Sequence, residues 1–444
     1  MEGKKLFLQT FGCQMNVYDS ERIVQLLAAR NYRLVEDPAQ ADLIFLNTCS
    51  VREKPEQKVY SALGRFRMLK RKNPNLIIGI GGCVAQQEGG NLLQQVPYLD
   101  FVVGTKELGR ITDLLDDLET SGRRQAATAL DGRIDPYAFL PFSPPDSKAL
   151  AFVSVMQGCD NFCSFCIVPF VRGREVSRPS PEILEEIRTL AAAGVKEVTL
   201  LGQNVNSYGN RTPGEKNFRE LLEAVQEVEG IERIRFTTSH PKDLSPALIA
   251  AFGMLPKLCE HIHLPLQSGS NRILKRMNRG YSREEYLDKV AELRRICTEI
   301  SITTDMIVGF PGEEDADFQS SMEIIEQVQF DDLFSFKYSD RPNTRASLFH
   351  DKVPEEISRS RLMELQAHQR KITLRKSKLW EGREVEVLVE GPSKANGEES
   401  MGRTRTNRIV NFPGIQPKPG LLSRVKIQKA LAHSLRGEAP GKHF

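Results

Sequence analysis

Of the eight cysteines in this chain of 444 residues, six fall into two sets whose placement suits metal chemistry. Cys159, Cys163 and Cys166 form C-x-x-x-C-x-x-C within Gln157-Gly158-Cys159-Asp160-Asn161-Phe162-Cys163-Ser164-Phe165-Cys166. Three thiolates on one short loop suit an iron–sulfur cubane, whose four irons normally take four thiolates. One iron would then lack a protein ligand, and a vacant corner can coordinate a small molecule, so the loop reads as a reactive centre. Structural zinc is the competing reading, but it takes four ligands, usually in pairs, and no fourth Cys or His lies close by. The second set, Cys13, Cys49 and Cys83, is spaced about 35 residues apart, and each member stands just beyond a strand-like run. Loops past the carboxyl ends of strands in an open α/β sheet converge on one crevice, so these three thiols are expected to meet as a second cluster site. Cys259 and Cys297 lack partners and read as small apolar residues.

The elements that must hold these thiols follow from hydrophobic periodicity. Residues 4–118 alternate strand-like runs (Lys4 to Thr10, Leu43 to Asn47, Leu76 to Ile80, Phe101 to Val103) with amphipathic stretches such as Asp19 to Arg30 and Glu53 to Lys72. This predicts a doubly wound α/β domain over residues 1–120. Residues 121–144, with Ser121-Gly122-Arg123-Arg124 at the start and Pro141 to Pro145 at the far end, read as a linker. Over 145–373 six strand-like runs (Ala151 to Met156, Glu197 to Leu201, Arg233 to Thr237, Glu260 to Leu266, Ile300 to Val308, Leu333 to Tyr338) alternate with helical patterns. That predicts a partial (β/α)6, TIM-like barrel, with functional residues at the strands' carboxyl ends. Glu355 to Lys378 reads as a solvated helical connector. Within 374–440 the period drops to two around Val385, Val387 and Val389, Arg408 to Phe412 and Arg424 to Gln428, the pattern of a small β-barrel.

Hydrophobic residues make up 40% and charged residues 27% of the chain, which excludes disordered and fibrous classes. The longest apolar-looking run, Leu76 to Ala85, is about half of what a membrane span requires, and the start is too short for a signal-peptide core, so a cytoplasmic protein with no membrane partner is expected. The net charge of +3 hides a division. Residues 374–444 hold 14 Lys and Arg against seven Asp and Glu, leaving residues 1–373 at −4. A basic terminal β-module beside an active site suits phosphate tracking. Arg403, Arg405 and Arg408 share one polar stretch, and Lys394, Arg424, Lys426 and Lys429 add to it.

A cysteine triad after the first strand of a six-repeat barrel resembles the radical S-adenosylmethionine superfamily. With the second triad and the β-module, which resembles a TRAM domain, almost the whole chain is similar to the methylthiotransferases. Thr10-Phe11-Gly12-Cys13-Gln14-Met15-Asn16, Asn47 to Lys54, Gly81-Gly82-Cys83-Val84-Ala85-Gln86, Gly173 to Arg178, Leu201 to Tyr208 and Tyr338 to Pro342 resemble the branch acting on isopentenylated adenosine in tRNA.

The resemblance implies two 4Fe-4S clusters. Cys159, Cys163 and Cys166 would hold the cluster that cleaves S-adenosylmethionine, and Cys13, Cys49 and Cys83 an auxiliary cluster that presents sulfur. The implied reaction replaces the C2 hydrogen of an isopentenylated adenine, next to the anticodon, with a methylthio group. S-adenosylmethionine would be both radical source and methyl donor. The implied partners are the tRNA anticodon loop and a reducing electron donor such as flavodoxin or ferredoxin, with the enzyme a monomer. Nearest alternatives keep the chemistry but act on threonylcarbamoyladenosine in tRNA or on a ribosomal-protein aspartate; a non-catalytic RNA-binding redox sensor is a third. Gln203 and Asn204 follow the second barrel strand, where many superfamily members carry Gly-Gly-Glu against the cofactor's amino group; this chain lacks that glutamate. Gln267, Ser268 and Gly309, past the fourth and fifth strands, could bind cofactor or simply shape tight turns. Arg172, Arg174 and Arg178 could hold cofactor carboxylate or tRNA phosphate, or form a solvated surface cluster. His240 ends the third strand and is expected to face the active site, whereas His261 and His263 read as core.

Overall fold

The computed structural model describes residues 3–50, 53–130, 148–393, 396–413 and 418–439. Val51, Arg52, Lys394 and most of the segment read as a linker, including Pro141 to Pro145, lie outside the described residues.

Among the described residues, β1 (Lys4–Thr10), β2 (Tyr32–Leu34), β3 (Leu43–Thr48), β4 (Ile77–Gly82), β5 (Phe101–Val103) and β6 (Gln125–Ala127) form one parallel sheet in the order β2-β1-β3-β4-β5-β6. Every residue of β3 is buried, as a central parallel strand covered by helices on both faces requires. Separate apolar cores around Ile44, Leu46 and Ile80 and around Leu6, Phe45 and Phe101 lie on its two sides. Two strands escaped the hydrophobic pattern. β2 has three residues, and β6 falls inside the segment read as a linker, where it pairs in parallel with β5. The domain therefore extends past residue 120.

The next strands are β7 (Leu150–Ser154), the short antiparallel pair β8 (Met156–Gln157) and β9 (Val176–Ser177), then β10 (Glu197–Leu201), β11 (Arg233–Thr237), β12 (His261–His263), β13 (Ser301–Val308) and β14 (Asp332–Lys337). β7, β10 and β11 form one parallel sheet and β12, β13 and β14 another. The bridge Ile234–Leu258 joins the two into a partial barrel, as the six strand-like runs predict. A single large core of Val, Leu, Ile and Phe fills the space between barrel and helices. The helix Glu355–Lys378 is not a solvated connector. It lays Ser358, Arg361, Leu365, Gln369 and Ile372 against the barrel, with Gln369 Nε2 donating to Phe330 O at 2.9 Å.

β15 (Glu384–Pro392), β16 (Ser400–Thr404), β17 (Ile409–Phe412), β18 (Leu422–Ala430) and β19 (Leu435–Glu438) close into a barrel in the order β15-β16-β17-β19-β18. Along β18, Ser423, Val425 and Ile427 point inward while Arg424, Lys426, Gln428 and Lys429 stay exposed, the alternation a half-buried strand imposes. Phe412 is wholly buried in this barrel's core. No described helix is long and apolar enough to cross a membrane.

Candidate functional site

The order of the first sheet reverses between β1 and β3, and a doubly wound sheet opens its ligand crevice at such a switch point, beyond the strands' carboxyl ends. The N-terminal cysteines stand there. Cys13 precedes the helix Gln14–Ala28, Cys49 follows β3, and Cys83 opens the helix Cys83–Glu88 after β4. Gly12, at φ 114°, lets the first loop pass against the second, because a Cβ there would lie 2.3 Å from Cys49 Cβ. A buried amide network ties the loops together. Asn16 Nδ2 donates to Asn47 Oδ1 at 3.1 Å and Thr48 O at 2.7 Å, Asn47 Nδ2 returns a bond to Asn16 O, and the Thr48 hydroxyl donates to Gly81 O. A hydrogen bond with Cys49 is the main influence drawing the Cys13 thiol down to about 6, with burial opposing and the Arg172 charge assisting. Burial pushes the Cys83 thiol up, and Arg172 pulls against it.

The second triad sits on the loop between β8 and β9. Gly158, at φ 79°, brings the two ends of this loop together, since a Cβ would lie 2.1 Å from Arg174 O. Gln203 Oε1 accepts from Gly158 N–H at 2.6 Å, Ser164 N–H donates to Met277 O, and Asn278 Nδ2 donates to Asn161 O and Phe162 O. Cys163 is the best supported of the three. Arg279 Nη1 approaches its Sγ at 3.3 Å, and His240 Nε2 lies 3.9 Å away. His240 Nδ1 accepts from Lys242 N–H, which leaves the ring proton on Nε2, facing the sulfur. Burial keeps this imidazole neutral, pushing its pKa far below the usual range. Burial also pushes Cys159 up to about 11 and Cys166 to about 12. Arg279 and Asn278 were missed by sequence reasoning; their only signal was position, in the segment after the fourth barrel strand.

The two triads adjoin. Cys83 packs with Ile167 and Val171, immediately past Cys166, in a small buried cluster. The seam around them is ionic: Arg178 and Arg22 both pair with Glu186, and Arg172 pairs with Asp19 at 2.7 Å, all at most 4% exposed. A cavity of about 700 Å³ starts at Gly12, Cys13 and Met15, passes Gln203, Thr237 and Thr238, and runs down the barrel between His263, Thr303 and Asp305 to the β16–β17 turn and β19. His261 and His263 therefore line a polar lumen and are not apolar core; His263 Nδ1 lies 3.0 Å from Thr303 Oγ1 and Nε2 3.5 Å from Asp305.

Several expected contacts fall elsewhere. Asn204 donates to Asp243 at 2.8 Å and does not line the cavity. Gly309 gives its N–H to Glu313 at 2.9 Å and lies against Ser358, so that donor is taken. Ser268 is wholly buried and accepts from Ser270 N–H, while the buried Gln267 Oε1 has no partner. Arg172 and Arg178 are buried in the seam and not on a solvated surface; Arg174 is exposed, paired with Asp160 and stacked on Phe162. Arg405 bonds Glu260, Pro256 O and Leu258 O, and Arg408 bonds Asp331, so both dock the terminal module onto the barrel floor instead of offering free charge to RNA. Arg403 pairs with Glu390. The exposed basic face is Arg424, Lys426 and Lys429.

Residues 5–104 match the uncharacterized protein family UPF0004, residues 153–325 the radical SAM superfamily and residues 378–439 the TRAM domain. Among solved structures the chain resembles the radical S-adenosylmethionine methyltransferase TsrM from Kitasatospora setae, with a TM-score of 0.58 and 13% identity over 78% of this chain and 75% of that one. The cobalamin-dependent radical enzyme OxsB gives a TM-score of 0.51 at 13% identity, covering 83% of this chain and 56% of that one. Fold and cysteine loop thus define a radical S-adenosylmethionine protein carrying a TRAM domain. Curated relatives narrow this. The tRNA-2-methylthio-N(6)-dimethylallyladenosine synthases of Syntrophus aciditrophicus (strain SB) and Geobacter metallireducens (strain ATCC 53774 / DSM 7210 / GS-15) are each 53% identical over 99% of this chain, covering 95% and 99% of their own lengths. The chain belongs to the tRNA-2-methylthio-N(6)-dimethylallyladenosine synthase family.

Proposed function

We propose that this enzyme converts N6-dimethylallyladenosine beside the anticodon of tRNA into its 2-methylthio derivative, using two iron–sulfur clusters. The observation that carries the reading is the adjacency of two three-thiol sites across one buried seam, with a cavity that starts at Cys13. Within each triad the thiols lie close enough to influence one another's ionisation, Cys13 with Cys49 and Cys83, and Cys166 with Cys159 and Cys163, as suits a cubane that takes each thiolate on a different iron. A C2–H of adenine is too weakly acidic for ordinary base catalysis, and clusters with S-adenosylmethionine supply the radical, sulfur and methyl chemistry the reaction needs.

The protein's part is to bind, orient and exclude water. Cys159, Cys163 and Cys166 hold one cluster, and Cys13, Cys49 and Cys83 the other. Arg279 and His240 donate toward the Cys163 sulfur and orient it. Gln203 fixes the entry to the cluster loop and lines the cavity. Arg424, Lys426 and Lys429 offer a basic stripe for the tRNA backbone. The enzyme works as a cytoplasmic monomer and draws electrons from a reducing donor such as flavodoxin or ferredoxin. Anaerobic reconstitution with reductant, S-adenosylmethionine and isopentenylated tRNA, followed by mass spectrometry of the digested nucleosides, tests the reading. The expected result is a methylthio nucleoside together with 5′-deoxyadenosine, and the absence of both would overturn it.

A further inference from the structure

Arg172 stands out among the buried cations. It follows the helix Val168–Val171, six residues past Cys166, yet its side-chain partners among the described residues lie in the other domain: Asp19 at 2.7 Å and Asn16 Oδ1 at 3.5 Å. Only 3% of the residue is exposed, and Nη1 is buried with no hydrogen-bond partner. A guanidinium carries five donors, and one left bare in a low-dielectric seam costs a large part of its desolvation energy unless negative charge is near. Asp19 supplies one such charge. The other lies on the thiol side of the seam, one amide away from the guanidinium. Asn16, which meets the same guanidinium, also accepts from Cys13 Sγ at 3.4 Å.

We propose that Arg172 is the counter-ion of the auxiliary cluster, lent by the radical domain to a site whose thiolates all belong to the N-terminal domain, with Asp19 holding it in place. The inference rests on the two-cluster reading above. A cubane held by three thiolates is more anionic than its protein pocket would otherwise tolerate, and one fixed positive charge in a buried site stabilises the reduced form. The same residue makes filling of the N-terminal site and closure of the domain seam one event, because Arg172 reaches the thiols only when the seam is closed.

The experiment uses the full chain with Cys159, Cys163 and Cys166 all replaced by alanine, so that only the auxiliary cluster assembles, and reads its iron content and midpoint potential by redox titration with electron paramagnetic resonance. Relative to that background, Arg172→Gln should lower the midpoint potential, Arg172→Lys should restore most of it, and Asp19→Asn should raise it. The opposite signs separate a counter-ion from a merely structural ion pair, whose two halves would shift the potential the same way. An unchanged potential in Arg172→Gln, or equal shifts in Arg172→Gln and Asp19→Asn, would overturn the proposal. If Arg172→Gln holds no cluster, Arg172→Lys decides: recovered iron supports the charge requirement, and an equally empty protein overturns it. A background that assembles no cluster at all would overturn the two-cluster reading itself, and the counter-ion with it.

Discussion

The two cysteine triads use the same donor chemistry on opposite plans. The radical triad is a local motif: eight consecutive residues, clamped at their base by β8 and β9 and by side chains from the barrel. The N-terminal triad has no local existence. Its thiols come from three separate loops and meet because β1, β3 and β4 are parallel neighbours with their carboxyl ends aligned. Their electrostatics differ accordingly. Burial pushes Cys159 and Cys166 up, as it does Cys83, whereas Cys13, beside Cys49 and Arg172, is drawn down to about 6. A loop-borne site tolerates displacement of the loop as a body; a sheet-borne site depends on strand register and on the packing of the seam beside it.

The sharpest separation of the two sites comes from removing one thiol from each. Cys163→Ala should abolish both 5′-deoxyadenosine and methylthio product, and Cys49→Ala only the latter, measured in parallel by chromatography and nucleoside mass spectrometry. Equal loss in both would show that the sites do not divide the chemistry. Next in size is the seam. Glu186→Ala leaves Arg22 and Arg178 facing each other without their shared carboxylate, and breaking a buried pair of this kind costs about 3 kcal/mol. Denaturant unfolding should register that loss, and methylthiolation should fall further than S-adenosylmethionine cleavage, because the N-terminal site relies on the seam. A smaller effect is expected from replacing Arg424, Lys426 and Lys429 together with alanine. The slope of log affinity for tRNA against log salt should flatten by roughly 1 to 3, about one for each phosphate no longer neutralised, with S-adenosylmethionine cleavage in the absence of tRNA untouched. The mildest test is alkylation of the apoprotein. Thiolate is the nucleophile, so labelling of Cys13 should rise as pH climbs through about 6, while Cys159 and Cys166 stay inert until far more alkaline pH. Parallel profiles for the two triads, read by peptide mass spectrometry, would erase the electrostatic distinction.

Much of the site was legible because thiol spacing and strand periodicity are local quantities. C-x-x-x-C-x-x-C needs no partner to be recognised, and Cys13, Cys49 and Cys83 stood out by recurring at the same point of successive strand-helix units. β6 escaped because three residues carry too little periodicity, and its strand conformation comes from pairing with β5. The arginines misled for a related reason. Arg405 and Arg408 are charged residues in a polar stretch, which by composition looks like an RNA surface, but Glu260 and Asp331 claim them from more than 70 residues away. His261 and His263 alternate with apolar residues as a core strand would, yet a partial barrel encloses a lumen that a pattern of two cannot distinguish from a packed interior.

By itself the sequence determined the kinds of chemistry available: two sets of three thiols, a half-barrel to carry one and an open sheet to carry the other, and a basic terminal module. Composition and short-range periodicity suffice for these, since they arise from contacts within a few residues along the chain. Only the tertiary structure decided which charges remain free and which are consumed. Arg172 paired with Asp19 and Asn16 of another domain, and the β16–β17 turn seated under the barrel, depend on long-range packing between surfaces whose complementarity no single segment encodes.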